Sequence, residues 1–293
     1  MSLLSVIMPR GPSGFGYGST AEEVSEGLDL SGRRYLVTGC NSGLGMETVR
    51  VLQLRGGTVV GAARTVEKAA HCDEAVACDL SEPDSVREAV HAIRGPLDGI
   101  VANAGIMALP QLQVRHGLEL QFLTNHMGHA RLVLGLQEQL TPLGRVVMLS
   151  SAGHKSAPQV GIDFDNLDGS RGYSPWRFYG QAKLANLLFA RALADRLPEG
   201  QTALAVHPGV IATNLTRHMN PLMQLGWKAM SPLVLKSIPQ GAATQVWAAV
   251  HPEPGAHNGE YLADCNTTNS SARGMDMALW TRLWDYTEDW LKS

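Results

Sequence analysis

The sequence predicts a single-domain α/β fold, a doubly wound parallel sheet with helices on both faces. Three observations carry this expectation. From Arg34 to about residue 262, short apolar runs alternate with helical stretches, most of ten residues or more, the rhythm of right-handed strand–crossover–strand units. The apolar runs are continuous instead of alternating, as parallel strands buried on both faces require. A glycine-rich turn joins the first run to the first helical stretch, where such folds receive phosphate groups. No linker or internal repeat interrupts the pattern, so the 293 residues divide into an arm over 1–27 and one domain over 28–293.

In the arm, residues 9–20 are rich in Gly, Pro and Ser and predict irregular structure. A short helix is expected after Ser19 or Thr20, where an N-cap precedes Glu22 and Glu23. Strands are expected over 35–37, 58–62, 75–77, 99–102, 145–149 and 203–206. Helices are expected over 44–54, 84–93, 114–140, 176–197 and, at the C-terminal end, 275–291. An apolar, methionine-rich segment over 214–239, holding Met219, Met223, Trp227 and Met230 between prolines, reads as a flap that closes over a hydrophobic substrate.

Composition narrows the function classes. A content of 44% hydrophobic and 17% charged residues with net charge −3 is that of an ordinary globular protein. The absence of any dense Lys/Arg run argues against nucleic acid or an acidic membrane surface as partner and favours a small molecule. No apolar run reaches the ~18 residues of a membrane span. Met1 to Met8 is short, runs into Pro9 and lacks signal-peptide features. The four cysteines show neither CxxC spacing nor a nearby histidine cluster, so no metal site or disulfide framework is read and a reducing cytoplasm is expected.

The first turn, Thr38-Gly39-Cys40-Asn41-Ser42-Gly43-Leu44-Gly45, has the spacing G-x-x-x-G-x-G. Its glycines permit a tight turn and close backbone approach, and the free N–H groups of the following helix suit a pyrophosphate. The second strand ends in Arg64 with no Asp or Glu between Gly57 and Arg64. That favours NADP (NADPH) over NAD, because an Arg suits a 2′-phosphate and a carboxylate suits the free 2′-hydroxyl. Asp79 is placed both to accept from an adenine amino group and to cap the helix near Pro83. Asn103-Ala104-Gly105 forms a small-residue turn where the sheet edge meets a ribose.

Asn125 interrupts an apolar helix and reads equally as a satisfied polar residue or a functional one. His126 and His129 beside it read as structural. Ser150 and Ser151 end the fifth strand, where a hydroxyl can hydrogen-bond a substrate carbonyl. Tyr179 and Lys183 lie one helical turn apart on a common face. A pair of this kind is common on solvated helices, but a neighbouring ammonium can also lower a phenol toward working pH. His207-Pro208-Gly209-Val210 closes the sixth strand, with Thr213 at the start of a helix.

These motifs in this order, TGxxxGxG, NAG, a strand-end Ser-Ser, YxxxK and a PG turn, resemble the classical short-chain dehydrogenases/reductases of Rossmann type over roughly residues 28–262. Tyr179 to Asn186, the Ala63-Arg64 strand end, Asn125-His126-Met127-Gly128-His129, the 28-residue separation of Ser151 from Tyr179 and the Leu-Trp pairs at 279–280 and 283–284 resemble the retinol-dehydrogenase-like branch. The resemblance implies an NADP(H)-dependent oxidoreductase interconverting a carbonyl and an alcohol on a hydrophobic small molecule. Tyr179 would be the acid or base, Lys183 its partner and ribose ligand, Ser151 the carbonyl-polarising group and Asn125 the holder of a relay water. Gly39, Gly43 and Gly45 would meet the pyrophosphate, Ser42 and Arg64 the 2′-phosphate end, Asp79 the adenine, Asn103 the ribose and Thr213 the nicotinamide amide. Leu44, Leu80, Ala104, Gly105, Pro208 and Gly209 would complete the cofactor site, and a homodimer or homotetramer is implied. Ala102 departs from the Asn common in relatives at that position. The N-terminal anchor of the branch's membrane-bound retinoid enzymes is not read here, so retinol is not the expected substrate. The competing readings are a nucleotide-binding regulatory protein without turnover and a C=C reductase on the same scaffold.

Overall fold

A computed structural model describes residue 4 and residues 7–211 and 235–292. The strands β1 (Arg34–Thr38), β2 (Thr58–Ala63), β3 (Glu74–Ala77), β4 (Leu97–Ala102), β7 (Leu140–Leu149), β8 (Thr202–His207), β9 (Tyr261–Ala263) and β10 (Asn266–Thr267) form one eight-stranded sheet. Its order is β10-β9-β8-β7-β4-β1-β2-β3, all parallel except the edge strand β10. The short pair β5 (Val114–Arg115) and β6 (Leu118–Glu119) stands apart as an antiparallel hairpin.

Alternate residues of each strand enter opposite cores, which is why the apolar runs show no alternation in the sequence. Leu36, Ile100, Ala102, Val146, Met148 and Ala203 face one layer. That layer contains α2 (Pro83–Ala92), α3 (Leu120–Phe122, Leu123–Met127 and Gly128–Leu136), α4 (Pro175–Ala194) and α6 (Met277–Lys292). Tyr35, Val37, Val101, Val147, Leu204 and Val206 face the other, closed by α1 (Gly43–Leu54) and α5 (Ile238–Val250). Helix α4 is buried almost continuously from Phe178 to Leu193 because the sheet lies on one side and α6 on the other. Trp284 of α6 stacks on Phe189 at 5.5 Å and 15°, so this C-terminal tryptophan packs the core.

Three differences from the sequence reading have physical causes. The helix expected over 114–140 begins at Leu120, because His116 and Gly117 adopt positive φ of 49° and 75° and fold 114–119 into the hairpin. Buried Glu119 then caps α3 by accepting from Phe122 N–H at 2.9 Å. Helix α5, not anticipated, is announced by a capping box between Ser237 and Gln240. The irregular arm is pinned in place: Ala21 N–H donates to Pro239 O at 2.9 Å, Asn266 Nδ2 donates to Phe15 O at 3.1 Å, and Thr20 and Glu23 cap each other at the short helical turn Glu23–Ser25.

Candidate active site at the carboxyl edge of the sheet

The chain leaves β1 toward β2 on one side and later returns to place β4 on the other, so the strand order reverses between β1 and β4. At that switch point the turn after β1 is packed against the turn after β4. A Cβ at Gly39 would lie 2.9 Å from Ala104 Cα, and one at Gly45 would lie 2.1 Å from Gly39 O and 2.6 Å from Asn103 Nδ2. Gly43, at φ 54°, faces open space. Ser42 precedes α1 in extended conformation without a side-chain cap, which leaves the first-turn N–H groups of α1 available to an anion.

Thr38 ties the two turns together. Its Oγ1 accepts from Asn103 N–H at 2.9 Å and Ala104 N–H at 3.0 Å, so its own proton is directed to His129 Nε2 at 2.8 Å. His129 Nδ1–H therefore donates to the carbonyl of Asn125 at 2.9 Å. Burial pushes this imidazole down to about 4, consistent with the neutral tautomer that the partners demand. Asn125 lies in the π turn Leu123–Met127 of α3, a local widening of the kind often found at functional sites. Its Oδ1 accepts from Ile106 N–H at 2.8 Å and its Nδ2 donates to Ile106 O at 2.9 Å. Asn125 is thus both satisfied and fixed.

The helix α4 brings the remaining groups to this edge. Lys183 is buried, and its Nζ donates to Leu149 O at 2.8 Å. A Cβ at Gly105 would lie 3.2 Å from Asn125 Oδ1 and 3.6 Å from Lys183 Nζ, so glycine there lets both reach one point. Likewise a Cβ at Gly153 would lie 2.8 Å from the Tyr179 ring and 3.3 Å from Ser151 Oγ. The Lys183 ammonium is 5.9 Å from the Tyr179 ring centroid. Burial pushes Lys183 down to about 8. Burial also raises the Tyr179 phenol above 10.0, with the Ser151 hydroxyl pulling the other way. The lowering of Tyr179 by Lys183 expected from the spacing is therefore not what this geometry produces. Desolvation dominates the phenol, and one of the ammonium's three donors is taken by the Leu149 carbonyl.

Arg64 follows β2, beyond the point where Gly39 N–H donates to Ala62 O at 2.9 Å, and it is exposed without an ion pair among the described residues. Asp79 Oδ1 accepts from Ser81 N–H and Oγ at 3.0 and 2.7 Å. It shapes the turn after β3 in this way, while Glu82 occupies the N-cap of α2. Leu80 is buried, its carbonyl oxygen only 2.2 Å from where a Cβ at Gly128 of α3 would lie. Pro208 and Gly209 follow β8, with Gly209 at φ 89°. Thr213 and the flap through residue 234 lie outside the described residues. Sequence reading passed over His154, whose Nε2 accepts from Ser271 N–H at 3.1 Å, so that Nδ1–H donates to Ser151 O at 2.7 Å and holds the serine's backbone.

Residues 33–162 match the sequence profile described as short chain dehydrogenase. The short-chain dehydrogenase TIC 32 B, chloroplastic, of Brassica napus is 39% identical over 302 residues, covering 94% of this chain and 94% of that protein. The chain belongs to the short-chain dehydrogenase family. Human retinol dehydrogenase 12 is 35% identical, covering 88% of this chain and 86% of the relative. A solved protein from Mycobacterium paratuberculosis superposes with a TM-score of 0.76 at 31% identity over 92% of this chain and 97% of the other. A short chain dehydrogenase from Burkholderia cenocepacia J2315, solved in complex with NADP, shares the fold at 24% identity and a TM-score of 0.62, over 80% and 96% of the two chains. No helix among the described residues is long and apolar enough to cross a membrane.

In this short-chain dehydrogenase the fit of the glycine turn is directly testable. Gly45→Ala would drive a Cβ into Gly39 O, and overpacking of this kind costs about 1–3 kcal/mol. We expect a lower thermal unfolding midpoint together with weakened dinucleotide binding. An unchanged midpoint would show that the turn yields freely.

Proposed function

We propose that the protein is an NADP(H)-dependent oxidoreductase that interconverts a carbonyl and an alcohol on a hydrophobic small molecule, with Tyr179, Lys183, Ser151 and Asn125 as its reacting set. The observation that carries the reading is the pairing of Asn125 with Lys183 at Gly105 and of Ser151 with Tyr179 at Gly153, with the Lys183 ammonium 5.9 Å from the Tyr179 ring. The cradle suits a dinucleotide: Gly39 and Gly45 admit no side chain, Gly43 opens to space, and the N–H groups that begin α1 are free of a cap. When bound there, NADPH supplies the hydride.

The protein's own residues supply position and the proton. Ser151 Oγ, on the sheet edge beside the Tyr179 ring, donates to the substrate oxygen. Tyr179 gives that oxygen its proton as charge develops, which suits a phenol kept protonated by burial. Lys183, pushed down to about 8, holds a proton close to the working range and can replace the one that Tyr179 loses. Asn125, clamped by Ile106 and by His129, is fixed beside Lys183 at Gly105. Trp176, itself exposed, stands edge-on to Tyr179 at 6.2 Å and gives that side of the phenol an apolar character.

The reading is tested by following NADPH oxidation against apolar aldehydes, ketones and enones, with the products identified. Alcohol products support it, and saturated ketones from enones would move the reaction to C=C reduction. Tight NADPH binding without turnover on any of them would favour a regulatory role. Cofactor choice has its own test. Arg64→Ala should weaken NADPH binding by roughly 10- to 100-fold, the worth of a hydrogen bond to a charged group, and leave NADH binding unchanged. An equal loss for both would sink the 2′-phosphate assignment.

A further inference from the structure

Beside the glycine turn lies a cluster that the proposed reaction does not use. Cys40, buried, sits in the turn itself, while exposed His71 and half-buried Cys72 arrive from the segment after β2. The two Sγ atoms and a ring nitrogen of His71 all lie within 4.8 Å of one another, and His71 Nε2 is 3.8 Å from Cys72 Sγ. In a tetrahedral zinc site, bonds of about 2.3 Å to sulfur and about 2.0 Å to nitrogen place neighbouring ligand atoms roughly 3.5–3.8 Å apart. The cluster therefore needs only small side-chain movements to close on one ion.

Two further features argue that these thiols are more than core filling. Strand β2 carries glycine where the sulfurs meet, since a Cβ at Gly61 would lie 2.3 Å from Cys72 Sγ and 3.0 Å from Cys40 Sγ. The His71 ring is held over the turn, its Nε2–H donating to the Cys40 carbonyl at 3.1 Å, a bond that the ion would replace on binding, and its exposure provides an entry path. Asp73 next along the chain is already engaged, its Oδ2 accepting from Val59 N–H at 2.8 Å and Gln53 Nε2 at 3.1 Å.

We propose that Cys40, His71 and Cys72 form a binding site for a thiophilic divalent cation of the zinc type, with water as the fourth ligand. Binding forms two metal–thiolate bonds and one metal–imidazole bond, and the two thiol protons pass to solvent, so affinity rises with pH. The ligand set is soft and has three protein groups, the combination that selects zinc-like ions over magnesium or calcium. The sequence concealed it because its two ligand segments lie 31 positions apart.

The test is a Co²⁺ titration of the reduced full-length protein, read by the thiolate-to-cobalt charge-transfer absorption and by ligand-field bands, with Zn²⁺ as competitor. We expect one cobalt per chain with both band sets, displaced by Zn²⁺. Cys72→Ala should remove the charge-transfer contribution of its sulfur. His71→Ala, at an exposed position, should weaken binding by at least the roughly tenfold worth of an outer partner alone. Cys265→Ala, distant from the cluster, should change neither. Absence of the charge-transfer band in the parent, or a titration unaltered by His71→Ala, would overturn the proposal. The second criterion holds even if Cys72→Ala fails to fold.

Discussion

Tyr179→Phe should lower kcat by roughly 10²- to 10⁴-fold, the range contributed by a positioned general acid, while the protein stays folded. The ring keeps its contact with Gly153 and its edge-on packing with Trp176, and only a hydroxyl is lost. NADPH binding should survive, because the glycine turn and Arg64 lie on other elements. The companion variant separates proton supply from placement. With Lys183 at about 8, the rate of reduction should fall as pH rises through that value, because the reservoir that refills Tyr179 is then empty. Lys183→Met should lose this limb along with most of the rate. The measurement is kcat against pH for the parent and both variants, on whichever carbonyl compound the parent reduces. A Tyr179→Phe enzyme as active as the parent would remove the phenol from the mechanism, whatever the Lys183 variant did.

The strand–helix rhythm was legible because burial on both faces writes itself as continuous apolar runs, and six of the eight sheet strands were placed within a few residues. What escaped detection had weak local signals. β9 and β10 are only three and two residues long, and their places are decided by pairing, β9 on β8 and β10 on β9. The overlong helix at 114–140 arose because apolar periodicity outweighed the His116-Gly117 turn. At the site, Tyr179, Lys183, Ser151 and the glycines were visible as motifs. Their supports were not, since a histidine's role depends on partners from distant segments. His129 joins Thr38 to Asn125, and His154 joins Ser151 to Ser271. The grouping of Cys40 with His71 and Cys72 was hidden for the same reason.

Acidification from pH 7 to pH 4 should unfold the protein before most carboxylates titrate. Burial holds three imidazoles far below their ordinary 6.5: His126 at about 3, His129 at about 4 and His207 at about 4. Between pH 6.5 and 4 the unfolded chain binds protons that the folded chain refuses, so stability is complete above 6.5 and is lost as pH falls. Each group contributes about 3 kcal/mol or more by this linkage, and three together rival the ~5–15 kcal/mol by which a domain is stable. The partners explain why the folded state refuses them. His129 Nε2 receives the Thr38 proton, and His207 Nδ1 receives the N–H groups of Ala152 and Gly209 at 3.2 and 3.4 Å. His126 lies between Phe122 and Phe189 with Nδ1 on Asn186 Oδ1 and Nε2 without a partner among the described residues, so a charge there would have no counterpart among them. His126→Phe keeps the aromatic packing and removes one proton acceptor, and it should move the acid midpoint, followed by circular dichroism, to lower pH. Should the midpoint stay where it is, His126 takes up no proton on unfolding and the burial argument fails for it. Should it move, the buried NHxGH run of α3 is a structural cost of placing Asn125, borne at neutral pH and exposed only in acid.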